Sequence, residues 1–218
     1  MSLSLTKHRF NEISLEGIQG ACLDLDDTLY AYEPCNKAGF RAVLNRVEQQ
    51  QIVAPSALEQ AWKEARNRTH QQLKGQAASH SRLLYLHTAL ELLLGRSEPG
   101  LALELETCFW DAYLNAMEWN PDAEAFLQGL RSAGIRTCIV TDLTSHIQFR
   151  KWAHLDLRRY CDFMVTSEEA GLEKPNPIIF QKALSKLQLA PEQVIMVGDN
   201  HEKDILGALQ LGMRAYLI

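Results

Sequence analysis

The stretch "GACLDLDDTLY", residues 20–30, sets the reading of the whole chain. It opens with strand character and then places Asp24, Asp26 and Asp27 almost side by side. The run "GACLDLD", residues 20–26, reads as a strand, and alternation sends Cys22, Asp24 and Asp26 to one face and Leu23 and Leu25 to the other, so two carboxylates become neighbours. Two like charges about 4 Å apart repel by roughly 4 kcal/mol at an effective dielectric near 20, a large share of the ~5–15 kcal/mol that holds a domain folded. A divalent cation, or a proton kept on one acid, offsets that repulsion. Either arrangement belongs to functional sites more often than to cores.

Further β-like runs follow at "IRTCIVT" (135–141), "DFMVTS" (162–167), "QVIMVG" (193–198) and "RAYLI" (214–218). Helical segments separate them. Asn120 is an N-cap residue followed by Pro121, with Asp122 and Glu124 in the first turn and Gly134 at the end. Asn176 and Pro177 open "PIIFQKALSKLQL" in the same way, and "HEKDILGALQLG" precedes the last strand. Strand and helix in alternation predict an α/β domain with a parallel sheet covered on both faces. Residues 32–118 break the alternation with the amphipathic stretches "NKAGFRAVLNRVEQQ", "SALEQAWKEARNRTHQQLKG", "SRLLYLHTALELLLG" and "LALELETCFWDAYLNAM". That is far more chain than an ordinary crossover loop of about 2–6 residues. The sequence is therefore divided into a core, residues 1–31 with 119–218, and an all-helical insertion, residues 32–118. Sites of open α/β sheets lie at the carboxyl ends of the strands, where Asp24 and Asp26 sit, so the insertion is expected to act as a lid.

The other strand ends carry matching chemistry. "CIVTD" ends at Thr141, a hydroxyl for a phosphate oxygen; Lys174 precedes a helix start in "GLEKPNPIIF"; "VIMVGDNHEKD" supplies Asp199 and Asp204. This set suits phosphoryl transfer onto a carboxylate. Asp24 as nucleophile is repelled by a phosphate dianion, and an oxygen-ligated Mg²⁺ held by Asp24 and Asp199 removes much of that barrier. Lys174 and Thr141 neutralise and orient the remaining phosphate oxygens. Asp26 is placed to protonate the leaving alkoxide and later to deprotonate the attacking water.

"DLDDT", Thr141 after an apolar strand, Lys174 before "PNP", and "GDNHEKD" resemble the four ordered motifs of the haloacid dehalogenase-like hydrolase superfamily. The helical insert resembles the cap of its first subfamily. The resemblance covers residues 20–218 and implies a Rossmann-like core with strand order 5-4-1-2-3. It also implies that the backbone carbonyl of Asp26 is a metal ligand and that Asp204 supports the metal through water. Dehalogenase members lack the second aspartate of D-x-D, so Asp26 favours a phosphatase. One departure is Asp142, which follows Thr141 where Asn or Gly is frequent. If the strand continues through it, its carboxylate points away from the phosphate; if the chain turns at Thr141, the carboxylate reaches the leaving group. The second geometry is the expected one.

Composition bounds the alternatives. At 218 residues and 46% apolar content the chain builds a proper core, and with a net charge of -5 and scattered Lys and Arg a nucleic-acid polymer is not the expected partner. The expected partner is a small phosphorylated metabolite. The cysteines, Cys22, Cys35, Cys108, Cys138 and Cys161, lack C-x-x-C spacing and read as reduced thiols. No signal-like or membrane-length apolar run occurs, so a cytoplasmic location is expected. An EF-hand loop fails because Leu29 and Cys35 replace its glycine and glutamate. His70, His80 and His87, the latter two at possible helical spacing, offer too few ligands for a second metal site. Trp62, Trp110, Trp119 and Trp152 read as packing residues. Lys37 and Arg41 share a helical face that is either solvated or substrate-contacting. A phosphomutase and a phospho-accepting receiver module remain as alternatives, the receiver disfavoured by the long insertion.

Overall fold

The computed structural model describes residues 6–218. Five strands, β1 Gly20–Leu23, β2 Arg136–Thr141, β3 Phe163–Thr166, β4 Val194–Gly198 and β5 Arg214–Leu217, form one sheet in the order β3-β2-β1-β4-β5. All four pairings are parallel, and this is the anticipated order read from the opposite edge. β1 lies at the centre, with Cys22 level with Cys138 on one side and Met196 on the other. Because both faces of a parallel sheet are covered, β1 and β4 are buried along their whole length.

The helices are α1 Tyr32–Gln49, α2 Pro55–Gln72, α3 Arg82–Leu94, α4 Pro99–Asn115, α5 Pro121–Ser132, α6 Ser145–His154, α7 Ser167–Ala170, α8 Pro177–Leu187 and α9 Gly207–Leu209. The side-chain oxygen of Asn120 caps α5 by accepting from Asp122 N at 3.1 Å, and Asn176 caps α8 through Ile178 N at 3.1 Å. Ile179, Phe180 and Ala183 of α8 bury against Cys22, Cys138, Val140 and Val165 of the sheet. Each fully buried large apolar side chain of this kind contributes about 1.5–3 kcal/mol.

The first strand is shorter than its sequence pattern suggests. It ends at Leu23, after which Asp24 N still bonds Val197 O at 2.9 Å, but the chain then turns: Leu29 N bonds Leu25 O, and Asp27 takes φ +61°. Asp24 and Asp26 therefore do not alternate on one strand face. Asp26 belongs to a loop that Tyr30 closes through bridges to Asp26 and Trp119.

The chain divides into two compact units, one made of the residues up to Ala31 with Glu118–Ile218, the other Tyr32–Met117. In the helical unit, α1 packs against α4 so closely that a Cβ on Gly39 would stand 2.8 Å from Phe109 O. Trp62 lies among Phe40, Tyr85 and Phe109, with ring centroids 5.0–5.9 Å apart, so this tryptophan is packing. Arg82 is buried among Tyr32, Tyr85, Phe109 and Trp110. His80 ends a short 3-10 turn, Ala77–His80, before α3 begins, so it shares no helix with His87. His70 instead meets Tyr85 OH at 2.6 Å. Lys37 pairs with Glu33 on an exposed face, and Arg41 is exposed.

Among the described residues all five cysteines are free, and burial pushes the Cys22 and Cys161 thiols up to about 12. No helix among the described residues is long and apolar enough to cross a membrane.

Candidate active site

The carboxyl ends of β1, β2 and β4 deliver Asp24, Thr141 and Asp199; the loop between α7 and α8 brings Lys174, and the turn after β4 brings Asp204, in beside them. Lys174, only 4% exposed, sits at the centre. Its ammonium donates to Asp24 Oδ1 at 2.5 Å, to Asp204 Oδ1 at 2.7 Å and to the carbonyl of Val140 at 3.0 Å. Asp24 Oδ2 accepts from the Thr28 hydroxyl at 3.2 Å. Asp204 stands in a π-helical turn, His201–Leu206, and its Oδ2 accepts from Asn200 N at 3.0 Å. Gly198 makes room for it, since a Cβ there would come within 2.8 Å of Asp204 Cβ.

Asp24, Asp199 and Asp204 each offer an oxygen, and the three atoms lie within 4.8 Å of one another. Three carboxylates face one ammonium, which leaves negative charge uncompensated. All the donors are hard oxygens, so the set fits a hard divalent cation. The electrostatics agree. Burial raises the Asp24 pKa well above 3.8 against the opposing pull of Lys174, with Asp204 and Asp26 adding to the rise. Burial, then Asp204 and Asp27, raise Asp199. Burial works to lower Lys174, but Asp204 and Asp24 outweigh it and lift its pKa well above 10.5. One ammonium shared between two acids neutralises one of them, so Asp24 holds a proton more readily than an exposed aspartate.

This has a measurable consequence. Without metal, the folded state binds more protons than the unfolded chain above pH 3.8, so the Asp24 contribution is fully present below that value and is lost as pH rises through the raised folded pKa. In chelator, wild-type protein is therefore expected to lose stability relative to Asp24→Asn as pH rises, and the stabilisation given by Mg²⁺ should widen over the same range. Thermal melts across pH with EDTA and with Mg²⁺ check it; a metal effect that shrinks with rising pH contradicts it.

Thr141 is buried, and its Oγ1 accepts from Gln148 Nε2 at 2.8 Å. Gln148 Nε2 also donates to the Asp142 carbonyl at 2.5 Å, which fixes the amide orientation, since that carbonyl only accepts. With Oγ1 accepting from the amide, the Thr141 hydroxyl hydrogen is left to donate, and among the described residues its acceptor is Asp142 O at 3.3 Å.

The expectation for Asp142 needs correction. Its Oδ1 accepts from Lys174 N at 3.0 Å and its Oδ2 from Lys203 Nζ at 2.8 Å, so the carboxylate ties the Lys174 loop to the π-helical turn. Asp142→Asn is accordingly expected to lower stability by about 1 kcal/mol while leaving the ranking of substrates unchanged. A substrate-dependent change in kcat/KM of tenfold would count against this bracing role.

Several residues were not singled out in the sequence: Thr28, Tyr30, Gln148, Lys151 and Lys203. Lys151 is 1% exposed and pairs with Asp26. A signal was present, because Ile147, Lys151 and Leu155 fall at helical spacing, and a lysine inside an apolar stripe is unusual.

Residues 18–212 match the family model of the haloacid dehalogenase-like hydrolases. A ribulose-1,5-bisphosphate 5-phosphatase of Halopiger xanaduensis is 40% identical over 195 residues, 89% of this chain and 82% of that protein. A glyceraldehyde 3-phosphate phosphatase of Methanothermobacter thermautotrophicus is 27% identical over 92% of this chain and 85% of its own. Among solved structures, a 2-haloacid dehalogenase from Pseudomonas syringae aligns with TM-score 0.71 at 25% identity, covering 91% of this chain and 85% of that one. A phosphatase from Thermococcus onnurineus aligns with TM-score 0.66 at 24% identity, over 92% and 86%. With the matched model spanning most of the sequence, this chain belongs to the haloacid dehalogenase-like hydrolase family.

Proposed function

We propose that the chain is a Mg²⁺-dependent phosphomonoester hydrolase acting on a small phosphorylated metabolite through an aspartyl-phosphate on Asp24. The observation that carries the reading is the buried cluster of Asp24, Asp199 and Asp204 around Lys174. Sugar phosphates are the first class to test, because relatives covering most of the chain are named as phosphatases of such esters. Asp26 favours ester hydrolysis over dehalogenation.

Asp24, Asp199, Asp204 and the carbonyl of Asp26 would hold the cation, which supplies the positive charge that lets a carboxylate approach a phosphate dianion. The Thr141 hydroxyl and the Lys174 ammonium bind the non-bridging phosphate oxygens. An Asp24 oxygen attacks phosphorus as the ester P–O bond breaks, and Asp26 gives its proton to the departing oxygen. Asp26, now a carboxylate, takes a proton from water, whose oxygen bonds to phosphorus as the Asp24–phosphorus bond breaks. Inorganic phosphate leaves and both aspartates are restored.

Purified protein tested on triose, pentose and nucleoside phosphates and phosphoglycolate is expected to release phosphate with Mg²⁺ and to stop after chelation, with Ca²⁺ a poor substitute. Undiminished activity after exhaustive chelation removes the proposal, and isomerisation without phosphate release points to a mutase instead.

A further inference from the structure

Lys151 projects from α6 one turn beyond Gln148, and its ammonium donates to both oxygens of Asp26, at 2.7 and 2.9 Å. The Tyr30 hydroxyl donates to Asp26 Oδ1, and the same ammonium lies 5.8 Å from the Tyr30 ring centroid. Lys151 is 1% exposed, whereas the Asp26 side chain keeps 30% of its surface open. One partner is therefore sealed in the core and the other faces outward. Tying α6 to the β1 loop does not require this: burying an ammonium costs several kcal/mol, and an apolar contact of the same volume joins two elements as well or better. What the ion pair adds is a defined direction. A carboxylate gripped at both oxygens by one donor and at Oδ1 by a second is restricted to one rotamer, although the loop that carries it lies outside the sheet ladder.

The geometry points to Lys151, with Tyr30 behind it, as a positioning residue that fixes the Asp26 carboxylate for proton transfer. The inference rests on the reading of Asp26 as acid and base. Lys151 exchanges no proton with substrate. Its charge favours the carboxylate left on Asp26 once the proton has passed to the leaving oxygen, and the same fixed carboxylate then receives a proton from water. Gln148 and Lys151 thus make one face of α6 a support for two site groups, Thr141 and Asp26.

The test compares wild type, Lys151→Met, Lys151→Arg and Tyr30→Phe with Mg²⁺ on glycerol phosphate, whose leaving alkoxide needs a proton, and on p-nitrophenyl phosphate, whose leaving group does not. Lys151→Met is expected to lower kcat on glycerol phosphate about 10²-fold with KM held within about threefold. On p-nitrophenyl phosphate, rapid mixing should show a burst of nitrophenolate equal to the enzyme, then slow turnover, because only the water step still needs Asp26. Tyr30→Phe should show the same burst with a smaller loss, and Lys151→Arg should recover at least about tenfold of kcat, since guanidinium grips a carboxylate at both oxygens. Equal losses on both esters without a burst, or wild-type kcat, would overturn the inference. If Lys151→Met does not fold, Tyr30→Phe decides by the same burst. Wild-type protein that hydrolyses neither ester marks failure of the proposed function itself, whereas normal wild-type turnover with no burst in the variants marks failure of this inference alone.

Discussion

Asp24→Asn is expected to lose at least about 10⁴-fold in kcat, equivalent to more than about 5 kcal/mol of barrier, while remaining folded. The amide keeps the shape of the carboxylate: its oxygen still accepts from Lys174, and its NH2 can donate to the Thr28 hydroxyl, so both groups that hold Asp24 in place keep a partner. It lacks the charge and nucleophilicity needed to attack phosphorus. It also removes one acid from a cluster in which burial and like charge already raise the Asp24 pKa. In chelator, its thermal midpoint should therefore stand near or above that of wild type at neutral pH. Loss of activity with the midpoint preserved assigns Asp24 to chemistry; normal kcat would show that another group accepts the phosphoryl.

Lys174→Met should act on stability as well as rate. The ammonium is the shared partner of Asp24 and Asp204, both buried, and it also satisfies the Val140 carbonyl. Methionine fills the volume and leaves two carboxylates without that cation. Breaking a buried pair in this way costs about 3–5 kcal/mol, which lowers the midpoint of a chain this long by about 6–20 °C. Turnover should fall by at least about 10²–10³-fold through loss of a charge aimed at the transferring group. Mg²⁺ should restore more of the midpoint in the variant than it adds to wild type, because the metal replaces the missing positive charge. Melting curves with EDTA and with Mg²⁺ measure this, and equal metal effects in both proteins would contradict it.

Much of the fold is legible in the sequence, and part of the candidate site. The strands were readable because short apolar runs bounded by caps and glycines carry local signals, and the helical insertion because its four stretches keep a helical period. The first strand misled. "LDLD" alternates like a strand, but extension there depends on neighbours, and the β1 ladder to β2 ends at Leu23. The acids and Lys174 that cluster in the candidate site stand out in the sequence because each follows a strand end or precedes a helix cap. Contacts made across long sequence separations were not. Lys151 meets Asp26 from 125 residues away, and Asp142 is turned by Lys203, 61 residues on. Arg82 reads as a surface charge until Tyr32 and the aromatic side chains of α4 surround it.

The proposed hydrolysis is covalent, with phosphate passing to Asp24 before it reaches water. Rapid acid quench of the protein with Mg²⁺ and a radiolabelled phosphate ester, followed by peptide mapping, tests it directly. Label should appear on the peptide that contains Asp24, decay at a rate no slower than turnover, and be absent from Asp24→Asn. Turnover without protein-bound label in pre-steady-state samples, or label that persists in Asp24→Asn, would contradict the account.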